Sequence, residues 1–173
     1  MADLGFFDGH RVELIEGEIV EMAPQKDLHV AATLLAQQAL QRAFPDQLVR
    51  TQMPLDLGQD SDPEPDLSVV SGNARAYVGK GHPKTAALVV EVSDTTLRFD
   101  RGKKASLYAK AGIQDYWIIN VVDQCIEVMR DPVNDPRAPL GWRYQSTATF
   151  RPPQSISPLA RPDASIVVAD LLP

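Results

Sequence analysis

Thr85-Ala86-Ala87-Leu88-Val89-Val90-Glu91-Val92 decides the fold, because it holds the longest unbroken apolar run of the chain, Ala86 to Val90. Five residues are far too few to cross a membrane. The run also lacks the polar alternation of a half-exposed strand. Continuous and rich in valine, it predicts a strand covered on both faces, and hence central in its sheet.

Upstream, Pro65-Asp66-Leu67-Ser68-Val69-Val70 predicts a short strand. The polar, Gly-rich stretch 71–84 between these two reads as a loop with one helical turn. Leu48 to Met53 predicts another strand, followed by Pro54 and the alternating Leu55-Asp56-Leu57. Residues 27–44 contain no Gly or Pro, and Leu28, Ala31, Leu34/Leu35, Gln38/Ala39 and Arg42 recur at helical spacing. They predict a helix with Asp27 as N-cap and Pro45 as its stop. Arg11-Val12-Glu13-Leu14-Ile15 and Glu18-Ile19-Val20-Glu21-Met22, joined by Glu16-Gly17, read as a β-hairpin.

Downstream, Asp100 is placed to cap a second helix through Ala111, packed by Ala105, Tyr108 and Ala109 and stopped at Gly112. Asp115 to Val121 predicts a strand, and Gln124 to Arg130 another after a tight turn at Val122-Asp123. The last 43 residues carry 8 of the 14 prolines. They predict one strand around Trp142 to Phe150 and a loop-rich tail anchored by Ile166-Val167-Val168. From residue 27 to 121 the order is helix, three strands, helix, strand. With the hairpin before it and antiparallel strands after it, this is an α+β fold on one mixed sheet. No internal repeat or second domain is visible, so residues 1–173 are expected to form a single domain.

The chain has 17 basic and 23 acidic residues, a net charge of −6. That balance excludes a histone-like or tail-type nucleic-acid binder, while leaving room for a local basic site. Residues 1–5 lack a basic region followed by an apolar stretch, so no signal peptide is expected. A single cysteine, Cys125, excludes an internal disulfide and a multi-cysteine zinc site. The expectation is a cytoplasmic protein without membrane contact.

Two carboxylates stand out. Asp66 opens a short strand, and Glu91 lies 25 residues later, near the end of the apolar one. An unpaired charge in such a strand is expensive. A salt bridge or a solvent-reaching strand end accounts for either alone. Together, on neighbouring strands, they suit a hard divalent cation such as magnesium. Ser93 shares the face of Glu91. Lys104 follows Glu91 by 13 residues and shares a helix stripe with Asp100 and Tyr108. Lys103 is rotated away by about 100°. Arg98 to Lys110 holds five basic residues against one acid, an arrangement suited to a passing phosphate backbone. Tyr116 and Trp117 read as strand core, and Cys125 lacks a partner that would activate it.

These residues resemble a family. The string Glu13-Leu14-Ile15-Glu16-Gly17-Glu18-Ile19-Val20, His29, Pro65-Asp66 and Val89-Val90-Glu91-Val92-Ser93 is similar to the Uma-type family of putative restriction endonucleases. The likeness continues through Asp100-Arg101-Gly102-Lys103-Lys104, Tyr108-Ala109 and Gly112-Ile113-Gln114-Asp115-Tyr116-Trp117-Ile118. It implies a restriction-endonuclease-like core of the PD-(D/E)xK superfamily, in the same helix, three strands, helix, strand order.

By that resemblance Asp66 and Glu91 are the motif acids, holding Mg²⁺ or Mn²⁺ together with a main-chain carbonyl such as that of Val92. Ser93 stands where the superfamily usually has lysine, and Lys104 takes over the cation's role from the second helix. Lys103 is secondary, and Glu13 and His29 are site neighbours. The implied activity is metal-dependent hydrolysis of DNA phosphodiester bonds. A duplex cutter needs two sites and a chain this short offers one, which predicts a homodimer. The alternative is a non-catalytic nuclease-fold module that binds a nucleic acid or a protein.

Overall fold

The computed structural model describes residues 11–22 and 24–173. The opening segment, read above as carrying no leader, lies outside them. A six-stranded mixed sheet forms the centre, in the order β3-β4-β5-β6-β7-β8. Its strands are β3 (Leu48–Thr51), β4 (Leu67–Val70), β5 (Leu88–Ser93), β6 (Asp115–Asn120), β7 (Cys125–Asn134) and β8 (Trp142–Phe150). Only β5 and β6 run parallel, and the second helix makes the crossover between them. A hairpin of β1 (Val12–Ile15) and β2 (Glu18–Glu21) precedes this sheet. Its turn, Glu16-Gly17, has φ of 51° and 78°, the left-handed pair that a two-residue hairpin turn requires.

The strand predicted to be central is central. All six residues of β5 are buried, and they alternate between two layers of core. Leu88, Val90 and Val92 pack towards α1 (Asp27–Ala43), against Ala32, Ala36 and Leu40. Val89 packs on the opposite side with Ala105, Tyr108, Ala109, Tyr116 and Ile118. Burial of each large apolar side chain contributes about 1.5–3 kcal/mol, so these two layers carry much of the fold's stability. Glu91 and Ser93 share the Val89 face, which places them under the second helix.

That helix departs from expectation. It begins at Leu97, three residues before Asp100, as α2 (Leu97–Phe99). It widens to a π turn over Asp100–Lys104 and ends as α3 (Ala105–Lys110). Asp100 is therefore inside the helix and buried, not its cap. In α1, Lys26 occupies the N-cap and Asp27 opens the first turn, where its charge suits the helix dipole. The tail pairs β9 (Ser155–Ile156) with β10 (Ile166–Val167). Ile166 and Val168 are buried against the α1 layer, while Val167 is exposed. Asp115 ties this tail down by accepting from Leu159 N at 2.8 Å and from Arg130 Nε at 2.8 Å.

Candidate active site

The register Leu67↔Val90 places Asp66 directly across from Glu91. Both are buried, and both line an open cavity of about 330 Å³ beside the hairpin. Each carboxylate accepts a backbone N–H from the segment that carries the other. Asp66 N–H donates to Glu91 Oε2 at 3.2 Å, and Val92 N–H donates to Asp66 Oδ2 at 2.8 Å. Within a strand a residue's N–H and C=O leave by the same edge, so the Val92 carbonyl also faces Asp66.

Lys104 reaches the carboxylates and Lys103 does not. The Lys104 ammonium is buried between Glu91 Oε1 and Glu13 Oε2, 2.9 Å from each. Lys103 turns outward to pair with Glu18 on the hairpin. The helical spacing accounts for the split, because Asp100, Lys104 and Tyr108 share one stripe while Lys103 is rotated off it, and Asp100 and Lys104 are both buried. Tyr108 follows on the same stripe and donates to Glu91 Oε1 at 2.6 Å. Ser93 is buried, its hydroxyl 3.4 Å from that of Thr96. Glu13 also accepts from Glu64 N–H at 3.2 Å, which locks the hairpin to the strand carrying Asp66. His29 Nε2 lies 2.9 Å from Asp66 Oδ1.

Three participants had no strong sequence signal. Gln52 adopts a left-handed backbone, φ 51°, and holds Asp66 twice. Its N–H donates to the Asp66 carbonyl at 3.1 Å and its Nε2 to Oδ1 at 3.3 Å. Asp100, read above as a helix cap, accepts from Thr96 Oγ1 at 2.6 Å at the edge of the cavity. Tyr108, read as packing, is a donor to the motif acid. The expected phosphate-binding run is largely neutralised. Arg101 pairs with Glu127, Lys103 with Glu18, Lys104 with Glu91 and Glu13, and Lys110 with Glu16.

The cavity floor carries an excess of acid. Glu13, Glu21, Asp66, Glu91, Asp94 and Asp100 line the cavity against Arg11, His29 and Lys104. Burial pushes the Glu91 carboxyl up to about 8 against the pull of Lys104, with Asp66, Asp100 and Glu13 adding to the rise. Burial likewise raises Asp100, against the stabilising bond from Thr96. Burial works against the Lys104 ammonium, but Glu91 and Glu13 outweigh it and hold its pKa above the usual lysine value. Burial keeps the Tyr108 hydroxyl protonated and therefore a donor.

The donor set suits a hard cation. An ionised carboxylate offers about four lone-pair positions. Asp66 Oδ2 and Glu91 Oε2 each accept one protein hydrogen bond, from Val92 N–H and Asp66 N–H, which leaves a lone pair on each for a cation. Among the described residues no group of three His, Cys, Asp or Glu side chains converges as a metal cage. Magnesium does not need one, since it keeps several waters around one or two carboxylates.

A three-layer fold with paired acids on adjacent central strands and a lysine above them defines a nuclease-like class. The family model described as Uma2: Putative restriction endonuclease matches residues 2–169, and the chain belongs to that family. A crystal structure of a putative nuclease belonging to DUF820 from Anabaena variabilis aligns with a TM-score of 0.66. The alignment covers 92% of this chain and 88% of that one at 18% identity, a likeness of fold. Comparison with curated proteins finds no match. No helix among the described residues is long and apolar enough to cross a membrane.

The His29–Asp66 pair gives a pH test. Burial lowers the His29 pKa, but Asp66, with Asp94 and Asp100 behind it, raises it above the ordinary 6.5. The folded state therefore holds the proton more tightly than the unfolded chain. The stabilisation is complete below the unfolded value of 6.5 and is lost as pH rises through the raised folded value. The gap in denaturation midpoint between wild type and His29→Gln should narrow as pH rises from about 6 to about 9. A gap that stays constant or widens contradicts the ion pair.

Proposed function

We propose that the chain is a divalent-metal-dependent endonuclease that hydrolyses DNA phosphodiester bonds at Asp66, Glu91 and Lys104. The observation that carries this reading is the direct opposition of Asp66 and Glu91 across two central strands, with the Lys104 ammonium 2.9 Å from Glu91. Asp66 Oδ2, Glu91 Oε2 and the Val92 carbonyl would hold Mg²⁺ or Mn²⁺. The ion, when bound, supplies an activated water and charge neutralisation at the scissile phosphate.

The chain's own residues do the rest. Lys104 brings a permanent positive charge to the carboxylates, where it orients the attacking water and steadies charge building on the phosphate. Glu13 shares that ammonium and fixes its height above Glu91. Tyr108 and the Asp66 N–H hold the two Glu91 oxygens in place, leaving Oε2 turned towards Asp66. His29 and Gln52 do the same for Asp66 by binding Oδ1.

A duplex cut requires attack on both strands, and one chain offers one such site. We therefore place a homodimer on the duplex.

Nicking of supercoiled plasmid in Mg²⁺ or Mn²⁺ tests the activity. Wild type should nick, and chelation should stop it. Asp66→Asn and Lys104→Met should lower the rate by about 100-fold or more, with melting curves confirming that both variants fold. Lys103→Ala should keep its rate at saturating DNA, since Lys103 pairs with the exposed Glu18. Failure of wild type to nick, with DNA binding intact, favours the non-catalytic module. Sedimentation should show a dimer at micromolar concentration, on DNA or off it, and a monomer in both states contradicts the homodimer.

A further inference from the structure

We propose that the loop joining β4 to β5, residues 71–84, grips the phosphate backbone of duplex DNA beside the candidate active site, a surface that rests on the nuclease reading above. The helix expected to do this has little free charge, because Arg101, Lys103, Lys104 and Lys110 all pair with acids of the chain itself. Among the described basic residues, the charged groups of only Arg42, Arg75, Lys80 and Arg98 make no ion pair or hydrogen bond. Two of these four, Arg75 and Lys80, lie in this one loop.

The loop's composition is distinct from that of the chain. From Ser71 to Val90 there is no acidic residue, while Arg75, Lys80 and Lys84 give +3 against a total of −6. Phosphate binding favours such a local field even on an acidic body. Lys84 lies 3.6 Å from Asp56 but is highly exposed, so screening weakens that pair.

The loop is built rather than loose. Asn73 caps a short helical turn, Ala74–Tyr77, by accepting from Arg75 N–H at 3.0 Å. Tyr77 donates to the Ser71 carbonyl at 2.7 Å, and its ring lies 5.9 Å from the Arg50 guanidinium. Asp56 N–H donates to the Pro83 carbonyl at 2.9 Å. Gly79 and Gly81 adopt φ of 73° and 78° on either side of Lys80, forming a tight turn that presents it. Val78, at 78% exposed, stands at the tip.

The start of the loop shares the sheet face of the acids. Arg50 pairs with Ser68, two residues from Asp66 and on the same sheet face, so its contact with Tyr77 fastens the loop to that face. The loop leaves β4 at Val70, four residues beyond Asp66. That is about 13 Å at about 3.3 Å per strand residue, a span that duplex DNA covers in about four base pairs.

The test is DNA affinity measured by fluorescence anisotropy in chelator across a KCl series, with nicking kinetics measured in parallel. The Arg75→Ala/Lys80→Ala variant should reduce the slope of log affinity against log salt by about 2, at about one per phosphate contact. It should raise KM and leave kcat unchanged. The Arg42→Ala/Arg98→Ala control should keep the slope. If wild type binds DNA and the loop variant keeps its full slope, or if only the control loses it, this proposal falls and the nuclease reading stands. If the loop variant loses slope while wild type never nicks, the surface stands and the catalytic reading falls. If wild type neither binds nor nicks, both fall. Binding of duplex RNA with the same slope and tighter affinity overturns DNA as the occupant.

Discussion

One buried ammonium joins the three parts of the candidate site. Lys104 arrives from the second helix, Glu91 from the central strand and Glu13 from the N-terminal hairpin, and the three meet at 2.9 Å contacts. Removing one member would leave uncompensated charge in a site where water cannot fully solvate it, at a cost of about 3–5 kcal/mol for a buried pair. The hairpin is also tied down by the Leu14–Asp62 bridge and by Glu16 and Glu18 pairing with Lys110 and Lys103. Glu13, with the Glu64 N–H, joins that anchoring to one wall of the cavity.

The charge balance around that ammonium links structure to function. Six acids line the cavity against three basic residues, and burial lifts the Glu91 carboxyl to about 8. Fully ionised, these acids would repel one another. On the proposed reading, a divalent cation beside Asp66 and Glu91 would relieve the repulsion and favour ionised carboxylates.

The sequence made the central strand and the paired acids legible, because both depend on local patterns. A valine-rich run interrupted by glutamate marks a buried strand with a functional end, and strand pairing alone then brings Asp66 opposite Glu91. The helix spacing of Asp100, Lys104 and Tyr108 likewise anticipated which lysine turns inward. What was hidden depends on tertiary contact. Asp100 looked like a cap because aspartate favours helix starts, yet the helix begins at Leu97 and buries it. Gln52 carries no signal, since its role comes from a left-handed turn of the backbone at the end of β3. The basic run from Arg98 to Lys110 looked like a phosphate surface because its acidic partners, Glu16, Glu18 and Glu127, are distant in sequence.

The central claim is that Asp66 and Glu91 form a two-carboxylate metal site next to a lysine. A crystal structure of the protein soaked in Mn²⁺, with anomalous scattering to locate the ion, tests this most directly. The account predicts one ion bonded to Asp66 and Glu91 oxygens at about the 2.0–2.2 Å typical of small divalent cations, with Lys104 retained beside Glu91. Ions found only elsewhere, with the carboxylates still held as they are by His29, Lys104 and Tyr108, would contradict it.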